Sequence, residues 1–314
     1  MLTVIVKRLL ISIPLLVIVS FIVFSLILLV PGDPAVALAG PHPTLNQILS
    51  IRQRLGLDDP FLLQYWHWLT GVLHGNLGSS LFSSQTVSQA VMSRLPTTIS
   101  LAFLALTLAA VLGVAVGVVA GLRPGTWIDR LATLGASLGV AVPYFWVGMI
   151  LVLLFSINNP ILPAVGYVPL TQDPLGWLSH LVLPATALAL APAAVVARQT
   201  RAALAAVMQE DFIRTARAKG MVPWTVVGKH ALKNAAIPVV TAFGNEANRL
   251  IGGTVVIEQL FALPGLGQLA AQGVFARDFP IVQGAVLTAA AMVLLINIAV
   301  DVSYGYFNPK VREA

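Results

Sequence analysis

Uncharged apolar runs recur along this chain at lengths that match a bilayer. An α-helix needs about 20 consecutive apolar residues to cross the hydrocarbon core. Leu9 to Val30 gives 22 residues without a charge, directly after Lys7 and Arg8. Further runs cover Leu95 to Leu122, Leu131 to Ile157, about Ser179 to Ala197, about Ala235 to Ile257 and about Gly284 to Val300. The pattern predicts an all-α integral membrane protein with six spans and both termini on one side. The fourth run is interrupted by Pro184 and Pro192, which predicts a kinked helix. The first run is longer than the roughly 7–15-residue core of a signal peptide, so it is expected to stay as a span despite the cleavage-like Ala37 to Ala39.

Small residues at a spacing of four add a packing expectation. Gly113, Gly117 and Gly121 lie on one face of the second run, and Gly135 and Gly139 on one face of the third. Such faces let two helix backbones approach closely. Composition agrees with the membrane assignment: 58% of the 314 residues are hydrophobic and only 10% are charged. The mean hydropathy is +0.89. A soluble domain carries about a quarter charged residues, so a large soluble core does not account for this chain. There are no cysteines, which excludes disulfides, thiolate metal sites and cysteine nucleophiles.

A net charge of +6 is compatible with nucleic acid as a partner, but the placement of the charges points elsewhere. On the six-span pattern one side receives thirteen Lys and Arg, the other receives Arg52, Arg54, Arg94 and Arg277, and Arg249 falls inside a span. That asymmetry predicts cytoplasmic termini. Residues 31–94 and the loop from Asn158 to Leu178 are then extracytoplasmic. Residues 198–235 form a cytoplasmic loop holding seven of the eighteen basic residues.

This loop reads as a helix, a sharp turn and a second helix. Leu204, Val207, Met208 and Ile213 fall near one face of a helix running to Ala218. Lys219 suits a helix C-terminus, Gly220 the left-handed position beyond it, and Pro223 the first turn of the next helix. A DNA-binding helix-turn-helix does not fit, because both helices run straight into spans. A solvated loop kept only for topology leaves the apolar face and Trp224 unexplained. A short helix that seats in a cytoplasmic partner accounts for both.

"EDFIRTARAKG", followed by "HALKNAAIPVVT", resembles the EAA loop of ABC-importer permeases, closest to their dipeptide/oligopeptide/nickel group. "FSLILLVPGDPA", "LGLDDPFLLQYWHWL" and "GNLGSS" resemble that family's first half. "GGTVVIEQLFALPGLGQL", "RDFPIVQG" and "INIAVDVSYGYFNPKVR" resemble its second half, so the resemblance spans nearly the whole chain. Asn76 stands where the family's GDLG has Asp. The resemblance implies a type I importer permease fold in a bacterial cytoplasmic membrane. It also implies a second homologous permease, two ATPase subunits that bind ATP and Mg, and an extracytoplasmic substrate-binding protein. The short helix around Ala216 to Val226 would be the coupling helix. Glu210, Asp211, Arg214, Ala216, Arg217, Ala218, Lys219, Gly220 and Trp224 would make the ATPase-coupling surface. The substrate would be a di- or oligopeptide, with nickel and glutathione left open.

Glu246 and Arg249 stand three apart inside the fifth run and share a face. Each would be costly alone in the membrane, so they form either a structural ion pair or a charged lining of the translocation path. Glu258, Asp301 and Asp33 are expected in structural, capping or turn roles. The five histidines, His42, His67, His74, His180 and His230, form no close cluster in the sequence, and no metal is expected in this chain. No G-x-x-x-x-G-K-[ST] loop occurs, so ATP chemistry is expected to belong to partners. Two rival classes stand against this reading: a secondary transporter using Glu246, Arg249 or Asp301 as an ion relay, and an intramembrane enzyme. The spans hold no credible nucleophile–base pair for the latter.

Overall fold

A computed structural model of the chain describes residues 2–25, 34–39 and 43–307. Among these, every extended regular element is a helix. α1 (Leu2–Ser25) is followed by α2 (Pro34–Ala39), α3 (Leu45–Leu55) and α4 (Phe61–Leu73). The polar stretch after the first run is therefore itself folded. Thr44 and Gln47 form a capping box that starts α3, and Gly56 at φ 63° stops it. Phe61, Tyr65 and Trp68 of α4 pack edge-on or tilted against Phe21 and Phe24 of α1, and the Ser20 and Tyr65 hydroxyls lie 2.8 Å apart.

A second capping box, Thr86 with Gln89, starts α5 (Val87–Gly121). α6 (Trp127–Ala141) and α7 (Tyr144–Val152) follow, and α7 continues as a π-helical stretch over Leu153–Asn158. The sequence pattern makes the third run a single span. Instead the two halves meet at 97°. Pro143 is the cause: it has no N–H for the preceding helix, and it holds Val142 extended at φ −82°, ψ 128°.

α8 (Pro174–Val207) is longer than the fourth run at both ends, and it continues as one helix through the buried Pro184 and Pro192. Asp173 caps its start by accepting from the Leu175 N–H at 3.0 Å. Then come α9 (Asp211–Ala218), α10 (Pro223–Thr225), a π-helical stretch Val226–Ala231, α11 (Leu232–Leu260), α12 (Leu266–Ala276) and α13 (Phe279–Phe307).

α8 is the centre of the bundle, with α5, α6, α7 and α11 packed around it. A Cβ on Gly113 would meet Val196 at 2.7 Å, and one on Gly117 would meet Thr200 at 2.5 Å. One on Gly121 would come within 3.0 Å of the Arg201 carbonyl. The three contacts advance together along both helices, so α5 and α8 run parallel with their backbones almost touching. Along α6 the order reverses, Asp129 meeting Arg201 and Gly139 meeting Ala194, so α6 is antiparallel to α8. The glycine face of α5 thus serves α8, and Gly135 has nothing within 4 Å of its Cβ position.

By length and composition three described helices can cross a bilayer, within α5, α8 and α13, and four if the α6–α7 pair is one broken span. The apolar part of α1 that is described, Leu10–Ser25, is shorter. α11 is long enough at 29 residues, but Asn245, Glu246, Asn248 and Arg249 interrupt its apolar character. Asp33, Lys310, Arg312 and the end of the first run, residues 26–30, lie outside the described residues.

Candidate functional site

The basic loop begins where α8 ends. The sequence suggested one helix from Arg198 to Ala218, but Gln209 and Glu210 donate back to the Ala206 and Val207 carbonyls and the chain turns. Glu210, extended at φ −68°, ψ 148°, is the N-cap of α9. Residues Ile213 and Ala216 point inward and are buried with Leu204, Val226 and Ala231. Val118, Val207, Met208, Met221 and Leu232 close around them. This small core ties the loop to the C-terminal end of α8. Ala216 therefore serves packing, whereas Asp211, Arg214, Arg217, Ala218, Lys219 and Gly220 are exposed.

Lys219 caps α9, donating its N–H to the Thr215 carbonyl at 3.0 Å. Gly220 then adopts φ 74°, and the Met221 N–H returns to the Ala216 carbonyl at 3.3 Å. No atom lies within 4 Å of a Cβ added there, so the glycine is required by conformation and not by space. Pro223 opens α10. Just beyond the turn Trp224 is 86% exposed, and Val222 and Phe212 are exposed with it. The tip is thus an apolar patch beside Arg214, Arg217 and Lys219. Asp211 and Arg214 pair across the surface at 3.3 Å.

Three further clusters were not legible in the sequence, because each joins residues far apart. Arg201 of α8 forms a two-pronged ion pair with the buried Asp129 of α6, one prong being Nη2 to Oδ2 at 2.7 Å. The Gly125 N–H also donates to Asp129, at 2.9 Å. At the other end of the bundle, the fully buried Glu258 accepts from the Thr98 hydroxyl at 2.7 Å and the Gln268 N–H at 2.9 Å. Thr98 in turn accepts from the Leu266 N–H at 2.8 Å. Beside these, Asp278 accepts from the Ser80 hydroxyl and, at 3.2 Å, from the Leu81 N–H. The motif pairs "GNLGSS" and "RDFPIVQG" therefore meet in space, and chain order gave no sign of it.

Glu246 and Arg249 stand together on α11, Nη1 to Oε1 at 3.0 Å. The acid is 8% exposed and the base 78%. Asp301 lines a cavity with Ser12 and Asn245. Among the described residues no group of three or more His, Asp or Glu is placed to hold a metal ion.

Residues 1–102 match the family described as the N-terminal part of binding-protein-dependent transport system membrane components. Residues 113–313 match the binding-protein-dependent transport system inner membrane component itself. A permease named for a peptide transport system in Brucella abortus (strain 2308) is 45% identical over 308 residues, 98% of either chain. The glutathione transport system permease protein GsiC of Salmonella typhimurium is 42% identical over 312 residues, 99% of either chain. A peptide ABC transporter permease of Sinorhizobium fredii is 39% identical over 98% of either chain. In fold the chain is similar to the inward-facing MetNI methionine ABC transporter, with a TM-score of 0.53 and 20% identity over 68% of this chain and 93% of that one. With two family matches covering nearly the whole length and an all-helical bundle of the corresponding fold, the chain belongs to the multi-pass inner-membrane permease components of binding-protein-dependent ABC importers.

Proposed function

We propose that this chain forms half of the translocation path of an ATP-driven importer for di- or oligopeptides, and that the turn at Gly220 docks an ATPase subunit. Six crossings would leave both termini and residues 198–235 in the cytoplasm, with residues 31–94 outside. A second, homologous permease would supply the other half of the path. Two ATPases would bind ATP and Mg, and a substrate-binding protein would deliver the peptide from outside. The peptide assignment is supported by relatives named for peptide transport; the glutathione relative also handles a short peptide.

One observation carries the docking role: Trp224 stands 86% exposed on a loop whose inner side is locked to α8. A solvated loop kept for topology needs neither the buried core of Ile213 and Ala216 nor an indole held in water. An aromatic anchor beside basic residues is the composition of an interface hot spot. Motion of the bound ATPase would pass through that core into Leu204 and so into the central helix.

The test is recovery of the complex in mild detergent from the host's own membranes. Wild-type chain is expected to carry an ATPase with it. Gly220→Pro combined with Ala218→Asp is expected to lose it, and Trp224→Ala to weaken the association roughly thirtyfold, a hot-spot loss of about 2 kcal/mol. Absence of any ATPase on the wild type across several detergents would overturn the reading.

A further inference from the structure

α11 has one long side that is largely exposed. Asn234, Asn245, Arg249, Gly252, Val256 and Gln259 are all exposed, and their spacings of three, four and eleven, each close to whole helical turns, keep them on that side. The remaining sides are occupied. Gly253 packs on Leu188 of α8, Gly244 on Val300 of α13, and Asn248 donates to Asn297 Oδ1 at 2.7 Å. A polar stripe of this kind does not rest against lipid, where amides and a guanidinium are expensive. It faces water or another chain.

Arg249 is the centre of the stripe. Its contact with Glu246 engages Nη1, while the side chain as a whole is 78% exposed. A guanidinium has five N–H donors, so most of the fork faces outward. The buried acid behind it holds one prong of the fork and offsets its positive charge. About one helical turn towards the N-terminus of α11, roughly 6 Å, Asn245 opens onto a cavity of about 370 Å³ between α1, α11 and α13. Ser12, Thr241, Asn297 and Asp301 make its polar wall.

We propose that Arg249 is a specificity-determining residue of the translocation path, which takes the free carboxylate of a passing peptide in a two-pronged hydrogen bond, and that Glu246 is its positioning residue. This rests on the peptide-importer function proposed above. The fork geometry matches a carboxylate. The acid behind the fork weakens the grip, as a pathway requires, since a site in a conduit must release what it binds. A carboxylate from the second permease is the competing occupant of the same donors.

The experiment uses the whole complex, with both permeases, ATPases and binding protein, in liposomes. Uptake of trialanine is compared with uptake of trialanine amide, at saturating binding protein, and the ratio of the two rates is read. Arg249→Gln is expected to lower that ratio about tenfold, the loss of one charge-assisted hydrogen-bond pair, and Arg249→Lys to give an intermediate value. The double variant Glu246→Gln with Arg249→Gln leaves no unpaired buried acid and is expected to assemble with the same low ratio. An unchanged ratio in the variants, or a ratio restored in the double variant, overturns the inference in favour of a purely structural pair. Loss of the second permease from both the single and the double variant overturns it in favour of an interface contact. Wild-type liposomes that import neither peptide would instead overturn the peptide function itself, and the inference with it.

Discussion

Glu258→Ala is expected to leave little folded protein in the membrane and to lower the thermal midpoint of what is recovered in detergent. The carboxylate is fully buried and collects the Thr98 hydroxyl and the Gln268 N–H, while Thr98 collects the Leu266 N–H. Three helices, α5, α11 and α12, are therefore joined at one acid. Truncation leaves two buried donors without acceptors, at about 1–3 kcal/mol each. It also opens a void where the side chain stood. Gly265 shows how tight the site is: a Cβ there would sit 2.2 Å from the Glu258 carboxyl carbon. Glu258→Gln keeps the shape and one acceptor, so its loss should be about half. Size-exclusion chromatography of heated samples measures both. A Glu258→Ala protein that survives heating as well as the wild type would mean that the three helices are held by apolar packing alone.

Gly117→Leu is expected to pry α5 from α8. The new Cβ would lie 2.5 Å from Thr200 Cβ and 2.6 Å from the Ala197 carbonyl, and both neighbours belong to a helix at the centre of the bundle. Overpacking of this kind costs about 1–3 kcal/mol even where side chains can yield, and here backbone must move. Gly135→Leu on α6 is the matched control. It has the same helical glycine setting but open space at the Cβ, so no loss is expected, and a small gain follows from better helix propensity, below about 1 kcal/mol. The same heated-sample assay should separate the two variants widely. Equal losses would show that the close approach of α5 and α8 does not limit stability.

The two glycines also show what could be read in advance. Spacing of four marked Gly113, Gly117, Gly121, Gly135 and Gly139 alike as packing residues. Only the fold separates those that touch α8 from Gly135, because spacing defines a face but not its partner. Helix content, the turn at Gly220 and the exposed Trp224 were legible, since each depends on residues close in sequence: Lys219 as cap, Gly220 at φ 74°, Pro223 at a helix start. The break at Pro143 needed a choice between a kink and a corner, and local sequence does not make that choice. The pairs Asp129–Arg201, Thr98–Glu258 and Ser80–Asp278 were not legible at all. Arg201 looked like one basic residue among seven, and only packing of α6 on α8 gives it a buried acid. Ala216 stands among the residues of the coupling-surface expectation, and the register of α9 buries it against Leu204 and Val226, which the loop sequence alone does not show.

The unbroken course of α8 sets a scale for the machine. Its 34 residues span at most about 51 Å, with Pro184 and Pro192 inside, and are gripped at one end by the Arg201 clamp and the Leu204 core. The glycine seam fastens α5 alongside it, so the two behave as one plank. A tilt of about 10° at the gripped end would sweep the far end through roughly 9 Å, by rigid geometry alone for a rod of that length. The stroke of the importer would then be fixed by the length of a helix and not by the softness of a loop. Shortening the plank by a turn, with both ends kept, should shorten the sweep in proportion.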